Sequence, residues 1–149
     1  MNSPAIILLP FVLAASLLAG PPALEEGRSR FCVLDIFVDS SSTPLAAYQI
    51  EFAVTNIPAR IVGIEGGEHP AFASPPVYDP AAIQHERVII AAFSTHPASD
   101  LPSGKTRVAT LHLEVNGEAD PEGVLIVQAA GDPQGNRIQA SATYQQRSQ

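Results

Sequence analysis

The sequence predicts an all-β fold, a β-sandwich, and three observations carry that reading. Apolar and polar residues alternate over short runs such as CVLDIFV and AYQIEFAV, the signature of strands with one face in a core. The runs are separated by turn residues at regular spacing, and the 14 prolines and 10 glycines are spread along the chain, as many short elements joined by tight turns require. Helical periodicity extends nowhere beyond about one turn. A length of 149 residues suits a single domain, large enough to bury a core without disulfides or metals.

Residues 1–23 read as a signal peptide or N-terminal export segment. The apolar run from Ala5 to Ala19 contains Pro10 and ends at Gly20-Pro21-Pro22. It is too short and interrupted for a spanning helix and suits the core of a signal peptide. No Lys or Arg precedes it, and Ala14-Ala15-Ser16 and Leu17-Leu18-Ala19 are permissive cleavage sites. Pro21 stands where a lipoprotein signal needs its Cys. The expected location is extracellular, periplasmic or at the cell envelope, touching the membrane only through this segment if it is uncleaved. Polar residues 24–30 read as a short linker, 31–144 as the domain and 145–149 as a tail.

The first strand is expected over Phe31–Asp39, with Cys32, Leu34, Ile36 and Val38 on one face. Ser40 to Pro44 form a turn. The second strand, Ala46–Val54, points Tyr48, Ile50, Phe52 and Val54 inward. After a turn at Asn56–Pro58, a third strand covers Ile61–Ile64 and ends at Gly66-Gly67. The Pro-rich stretch Glu68–Tyr78 reads as an irregular surface crossing. Asp79–Gln84 can form a single helical turn, with Asp79 as N-cap and Pro80 at the first helical position.

Arg87–Ser94 is apolar on both faces, which predicts a strand inside a packed sheet. In Arg107–Val115 the residues Ala109, Leu111, Leu113 and Val115 alternate with Val108, Thr110, His112 and Glu114, the pattern of a half-buried strand. A turn at Gly117–Gly123, a strand at Val124–Ala130, a turn at Asp132–Asn136 and a last strand at Arg137–Tyr144 follow. At least about seven short strands with regular turns make a sandwich.

These patterns resemble the cohesin domain over roughly Arg30–Thr143. FCVLDIFVDSSSTPLAAYQIEFAV is similar to that family's opening pair of strands. ERVIIAAFS followed by LPSGKTRVATLHLEV resembles its strand ending in small residues, Gly-containing turn and strand of alternating aliphatics. VLIVQAAGDPQGNRI is similar to its last hairpin. The resemblance implies a jelly-roll sandwich of about eight to nine strands with a non-catalytic binding role. In cellulosome systems that role is docking an enzyme that carries a dockerin. No side-chain motif in this chain marks a dockerin-contacting residue. Carbohydrate-binding sandwich modules share the pattern in part, so polysaccharide is the alternative partner.

Chemistry-bearing residues are few. The chain has 4 histidines, and His69, His85, His96 and His112 lack metal-ligand spacing. Glu65, Glu68 and His69 in IEGGEHP are the best acid–base cluster, with the two carboxylates as a conceivable pair. The plainer reading is a polar loop made mobile by Gly66 and Gly67. Ser94-Thr95-His96 places a hydroxyl beside an imidazole, but neighbours in extended chain point apart, and no nucleophile elbow surrounds Ser94. Asp132, Gln134 and Asn136 offer oxygens at alternate positions, as a hard-cation loop would. Asp-Pro-x-Gly-Asn is equally good turn chemistry. Cys32 reads as a small buried hydrophobe. No catalytic, cofactor-binding or metal-ligating residues are expected, and no cofactor.

Composition narrows the partner. A net charge of −7 with no basic stripe argues against nucleic acid. With 46% hydrophobic and 15% charged residues, the chain is not a disordered acidic one. There is no Trp, and Tyr48 falls on an inward face, leaving Tyr78 and Tyr144 as a thin platform for sugar rings. Protein docking needs only a flat sheet face with a few anchors.

Overall fold

The computed structural model describes residues 28–148. The expected export segment and residues 24–27 of the expected linker lie outside the described residues. Eight strands follow one another among those described: β1 (Ser29–Asp39), β2 (Ala47–Val54), β3 (Ala59–Gly66), β4 (Val77–Tyr78), β5 (Arg87–Phe93), β6 (Lys105–Asn116), β7 (Gly123–Gly131) and β8 (Ser141–Gln146). They form two antiparallel sheets of four, ordered β3-β6-β1-β8 and β4-β5-β2-β7. This is the β-sandwich that the alternation predicts. Only β4 and β5 are consecutive strands within one sheet; every other connection crosses between the sheets.

The inward faces are those read from the period of two. Cys32, Leu34, Ile36 and Val38 of β1 and Tyr48, Ile50, Phe52 and Val54 of β2 are all buried, and they form one core with residues of β3, β5 and β6. Burying one such side chain stabilises the fold by about 1.5–3 kcal/mol. That gain sets which way each strand faces, because a slip of one residue would turn the whole set outward. The helical turn also forms as expected, as a 3-10 turn at Pro80–Ala82. Asp79 caps it by accepting the Ala81 N–H.

Four expectations are corrected. In β6, Val108 does not alternate with Ala109; both are fully buried. Ile36 pairs with Ala109 and Phe37 with Arg107, so Val108 is the extra residue of a bulge and turns inward. Its carbonyl accepts the Tyr48 hydroxyl at 3.1 Å. Thr110 is outward but also fully covered, beneath the Arg107 and Arg147 side chains that bond its hydroxyl.

The stretch Glu68–Tyr78 is not only surface. A 3-10 turn at Pro70–Phe72 drops Phe72 into the core, 2% exposed, edge-on to Tyr48 with ring centroids 5.3 Å apart. Gly66 and Gly67 do not loosen this loop; they let backbones meet. A Cβ on Gly66 would strike the Ala73 carbonyl oxygen, and one on Gly67 the Arg107 carbonyl oxygen.

The last strand begins at Ser141, not Arg137, and runs to Gln146. Arg137 makes a lone bridge to Gly131. Ile138 then bonds back to Ala130, and the chain crosses to pair with β1 in the other sheet. The closing hairpin is therefore a crossover. β5 is the fourth correction. It lies between β4 and β2 with Val88 and Ile90 buried, but no described layer covers its other face, and Phe93 is 76% exposed.

Candidate functional site

The sequence-derived clusters come apart in three dimensions. Glu65 sits 3.1 Å from His112 Nε2, within ion-pair distance but not aligned as a hydrogen bond. Glu68 faces Arg107 at 3.9 Å. His69 turns its Nδ1 inward along the chain to accept the Ala71 N–H at 3.2 Å, capping the 3-10 turn. Each member of the supposed acid–base cluster has a different structural partner. Ser94 Oγ accepts the His96 backbone N–H, a local turn contact with no imidazole involved.

Asp132 is a turn residue. Its carboxylate accepts the Gln134 and Asn136 N–H groups at 2.9 and 2.8 Å and the Asn136 side-chain amide at 2.9 Å. These bonds, the Asn136 side chain first, hold the carboxyl below its usual range despite some desolvation. Gly135 takes φ +83°, the left-handed conformation that this turn position requires. Among the described residues, no group of three or more His, Cys, Asp or Glu is placed to hold a metal ion. Cys32 is buried, and burial raises its thiol above the ordinary value while Arg30 pulls it down and Asp120 pushes it up.

The tyrosines do not form a sugar platform. Tyr48 is buried. Tyr144 pairs across from Ile36 on the inward face, packs edge-on against Phe52 and accepts the Gly123 N–H at 3.0 Å. Tyr78 lies opposite Ile90 and packs against the core.

The two outer faces of the sandwich differ sharply. On the β3-β6-β1-β8 sheet the charges pair among themselves. Arg147 bonds both Asp35 oxygens, at 2.8 and 2.7 Å, while Thr110 donates to the same carboxylate at 2.9 Å. Desolvation would raise the Asp35 carboxyl, but these bonds and the Arg147 and Arg107 charges outweigh it and hold it below its usual value. Arg60 pairs with Glu114 at 2.7 Å on the same face.

The outer face of β4-β5-β2-β7 is largely apolar. Register places Val77, Ala91, Gln49 and Ala129 in one row, Ile89, Glu51 and Ile126 in the next, and Arg87, Ala53 and Val124 in a third. Val77 is 74% exposed, Phe93 76%, Val124 50% and Ile126 49%. One polar ladder crosses it: Arg87 donates to Glu51 at 2.6 Å, Gln128 donates to Glu51 at 2.7 Å, and Gln49 donates to Gln128. The Arg87 bond, ahead of all other influences, lowers the Glu51 carboxyl. The ladder is bonded within itself, so the face presents apolar flanks around a pre-ordered polar centre. Contiguous exposed apolar surface of this kind marks interaction sites.

The sequence held a signal for this face. VIIAAF and VLIV are apolar at both parities, and for the first of them burial inside a packed sheet was the expectation. Comparison with known proteins adds no identity: the chain matches no protein-family model, no curated protein and no solved structure.

Proposed function

We propose that the chain is an exported, non-catalytic, cohesin-like binding module that docks a protein partner, of dockerin type, through the outer face of β4-β5-β2-β7. The observation that carries this reading is the exposure of Val77, Phe93, Val124 and Ile126 on one flat sheet face whose central charges, Arg87 and Glu51, are paired with each other. Protein interfaces combine exposed apolar side chains of this kind with satisfied polar groups. The opposite face, with its internally paired Asp35, Arg147, Arg60 and Glu114, carries one exposed large apolar side chain among the described residues, Phe31.

Polysaccharide binding has less support, because Tyr48, Tyr78 and Tyr144 all turn toward the core. Catalysis has no assembled cluster behind it among the described residues. The test is affinity capture from secreted and envelope proteins, with a polysaccharide panel alongside, using wild type and Ile126→Asp. The substitution is at a half-exposed position of the edge strand β7, opposite Glu51, and costs about 1–2 kcal/mol, so far-UV circular dichroism of the variant accompanies the capture. Specific protein capture by the wild type and its loss in Ile126→Asp are the expected results. Equal capture by both proteins, or retention on polysaccharide alone, would sink the reading.

A further inference from the structure

One end of this face is shaped differently from the rest. Past the polar ladder, register puts Phe93, Ala47 and Gly131 in one row, and the Gly131 bridge extends it to Arg137. Directly paired residues share a face, so Phe93 and Arg137 stand at opposite ends of a trough floored by small residues. Strand spacing puts their backbones about 14 Å apart. The trough encloses about 450 Å³, with Ala91 and Ala129 widening its floor and Asn136 beside Arg137. A volume of this order accepts one or two large side chains.

Arg137 is the polar group that gives the trough a direction. Its Nη2 donates to the Gln128 carbonyl at 2.6 Å, which fixes the guanidinium over the sheet edge. Arg30, Arg60, Arg87, Arg107 and Arg147 each have a carboxylate partner. Arg137 has none among the described residues, nor has Arg28 just before β1, in a chain whose net charge is −7. Asp132, the nearest acid in sequence, has its carboxylate directed to Gln134 and Asn136. A guanidinium with free donors next to an apolar hollow matches a ligand that carries a carboxylate close to a large apolar group.

We propose that this trough is the anchor site of the docking face, taking from a partner protein a segment in which a large apolar side chain lies next to an Asp or Glu. The inference rests on the docking reading above and names the chemistry at one end of that face. The apolar side chain lies on the Ala47, Ala91, Ala129 and Gly131 floor against Phe93, and the carboxylate meets Arg137. A protein segment fits better than a free small acid because the trough is open and runs past Val77 and Gln49 into a second hollow of about 700 Å³. An extended chain can follow that path, with anchors in pockets and the remaining contacts excluding water.

The experiment is selection of a phage-displayed random dodecapeptide library on the immobilised full chain. Peptides with a large apolar residue within about two positions of Asp or Glu should be enriched, as one strand pitch allows. Their synthetic versions should lose about tenfold or more in affinity on Arg137→Gln and keep most of it on Arg137→Lys. Selection on Arg137→Glu should turn the preference toward Lys and Arg, a change that a merely structural role for Arg137 would not produce. Enrichment without an acidic residue, affinity unmoved by Arg137→Gln, or no enrichment at all would overturn the anchor. So would phenylacetate binding as tightly as the peptides, since the occupant would then be a small acid. Partner capture lost in Ile126→Asp but indifferent to Arg137→Gln would remove the anchor and leave the docking face standing. Capture surviving Ile126→Asp would remove the docking face itself.

Discussion

Replacing Phe72 by Ala tests whether the Pro-rich crossing belongs to the core. The ring is 2% exposed and meets Tyr48 at 5.3 Å in an edge-on contact. Truncating a buried Phe costs about 3–5 kcal/mol, and the lost aromatic contact, worth about 0.5–1.5 kcal/mol, puts the expectation near the middle or top of that range. About 4 kcal/mol is a large part of the 5–15 kcal/mol or so that holds a typical domain. With a urea m-value of roughly 2 kcal/mol/M, the midpoint should fall by about 2 M. Equilibrium urea unfolding followed by far-UV circular dichroism measures this directly, since the chain has no Trp to report. Phe72→Leu keeps most of the volume and should cost less than about 1.5 kcal/mol. A loss below about 1 kcal/mol for Phe72→Ala would refute the reasoning, because it would mean the ring contributes no more than a surface side chain.

Two further substitutions probe how the frame around that loop is held. Gly67→Ala should destabilise by about 1–3 kcal/mol or more, since its Cβ would be driven into the Arg107 carbonyl. Gly63→Ala, whose Cβ would meet His112 at an ordinary 3.5 Å, should change the urea midpoint little; equal effects would show that close backbone approach is not the cause. Asp35 should contribute to acid sensitivity. Its carboxyl is held below the ordinary value in the folded state, so its contribution is present at neutral pH and is lost as pH falls below about 4 toward the folded value. Asp35→Asn should lower stability at pH 7 and flatten the acid limb of a urea-midpoint series; parallel limbs for the two proteins would contradict that assignment.

Strand by strand, legibility follows from how local the cause is. In β1 and β2 one face is buried and the other is not, so the alternation alone names Cys32, Leu34, Ile36, Val38, Tyr48, Ile50, Phe52 and Val54 as core. The Asp79-Pro80 turn was equally readable, because the cap bond runs between residues two apart. Val108 was misplaced because a bulge changes the parity of a strand, and bulges are set by the partner strand. Phe72 was missed because no period runs through EHPAFASPPVY; only the meeting of that loop with Tyr48 buries it.

The candidate site was half visible for the same reason. That β5 and β7 are apolar on both faces is written in VIIAAF and VLIV. Whether a second layer covers those faces is not a local property, and none does so among the described residues. The acid–base grouping of Glu65, Glu68 and His69 rested on nearness in sequence, which the strand end and the 3-10 turn convert into three separate directions.

What the amino-acid order determined by itself was the strand period, the turns and the inward side of most strands, since each depends on neighbours within a few residues. Only the tertiary structure decided which strands share a sheet, which face stays open and which charges are paired. Those outcomes depend on contacts such as Asp35 with Arg147, 112 residues apart. The pairing of β2 with β7, and of Gly131 with Arg137 at its end, is what sets a guanidinium with no carboxylate partner among the described residues beside an alanine floor.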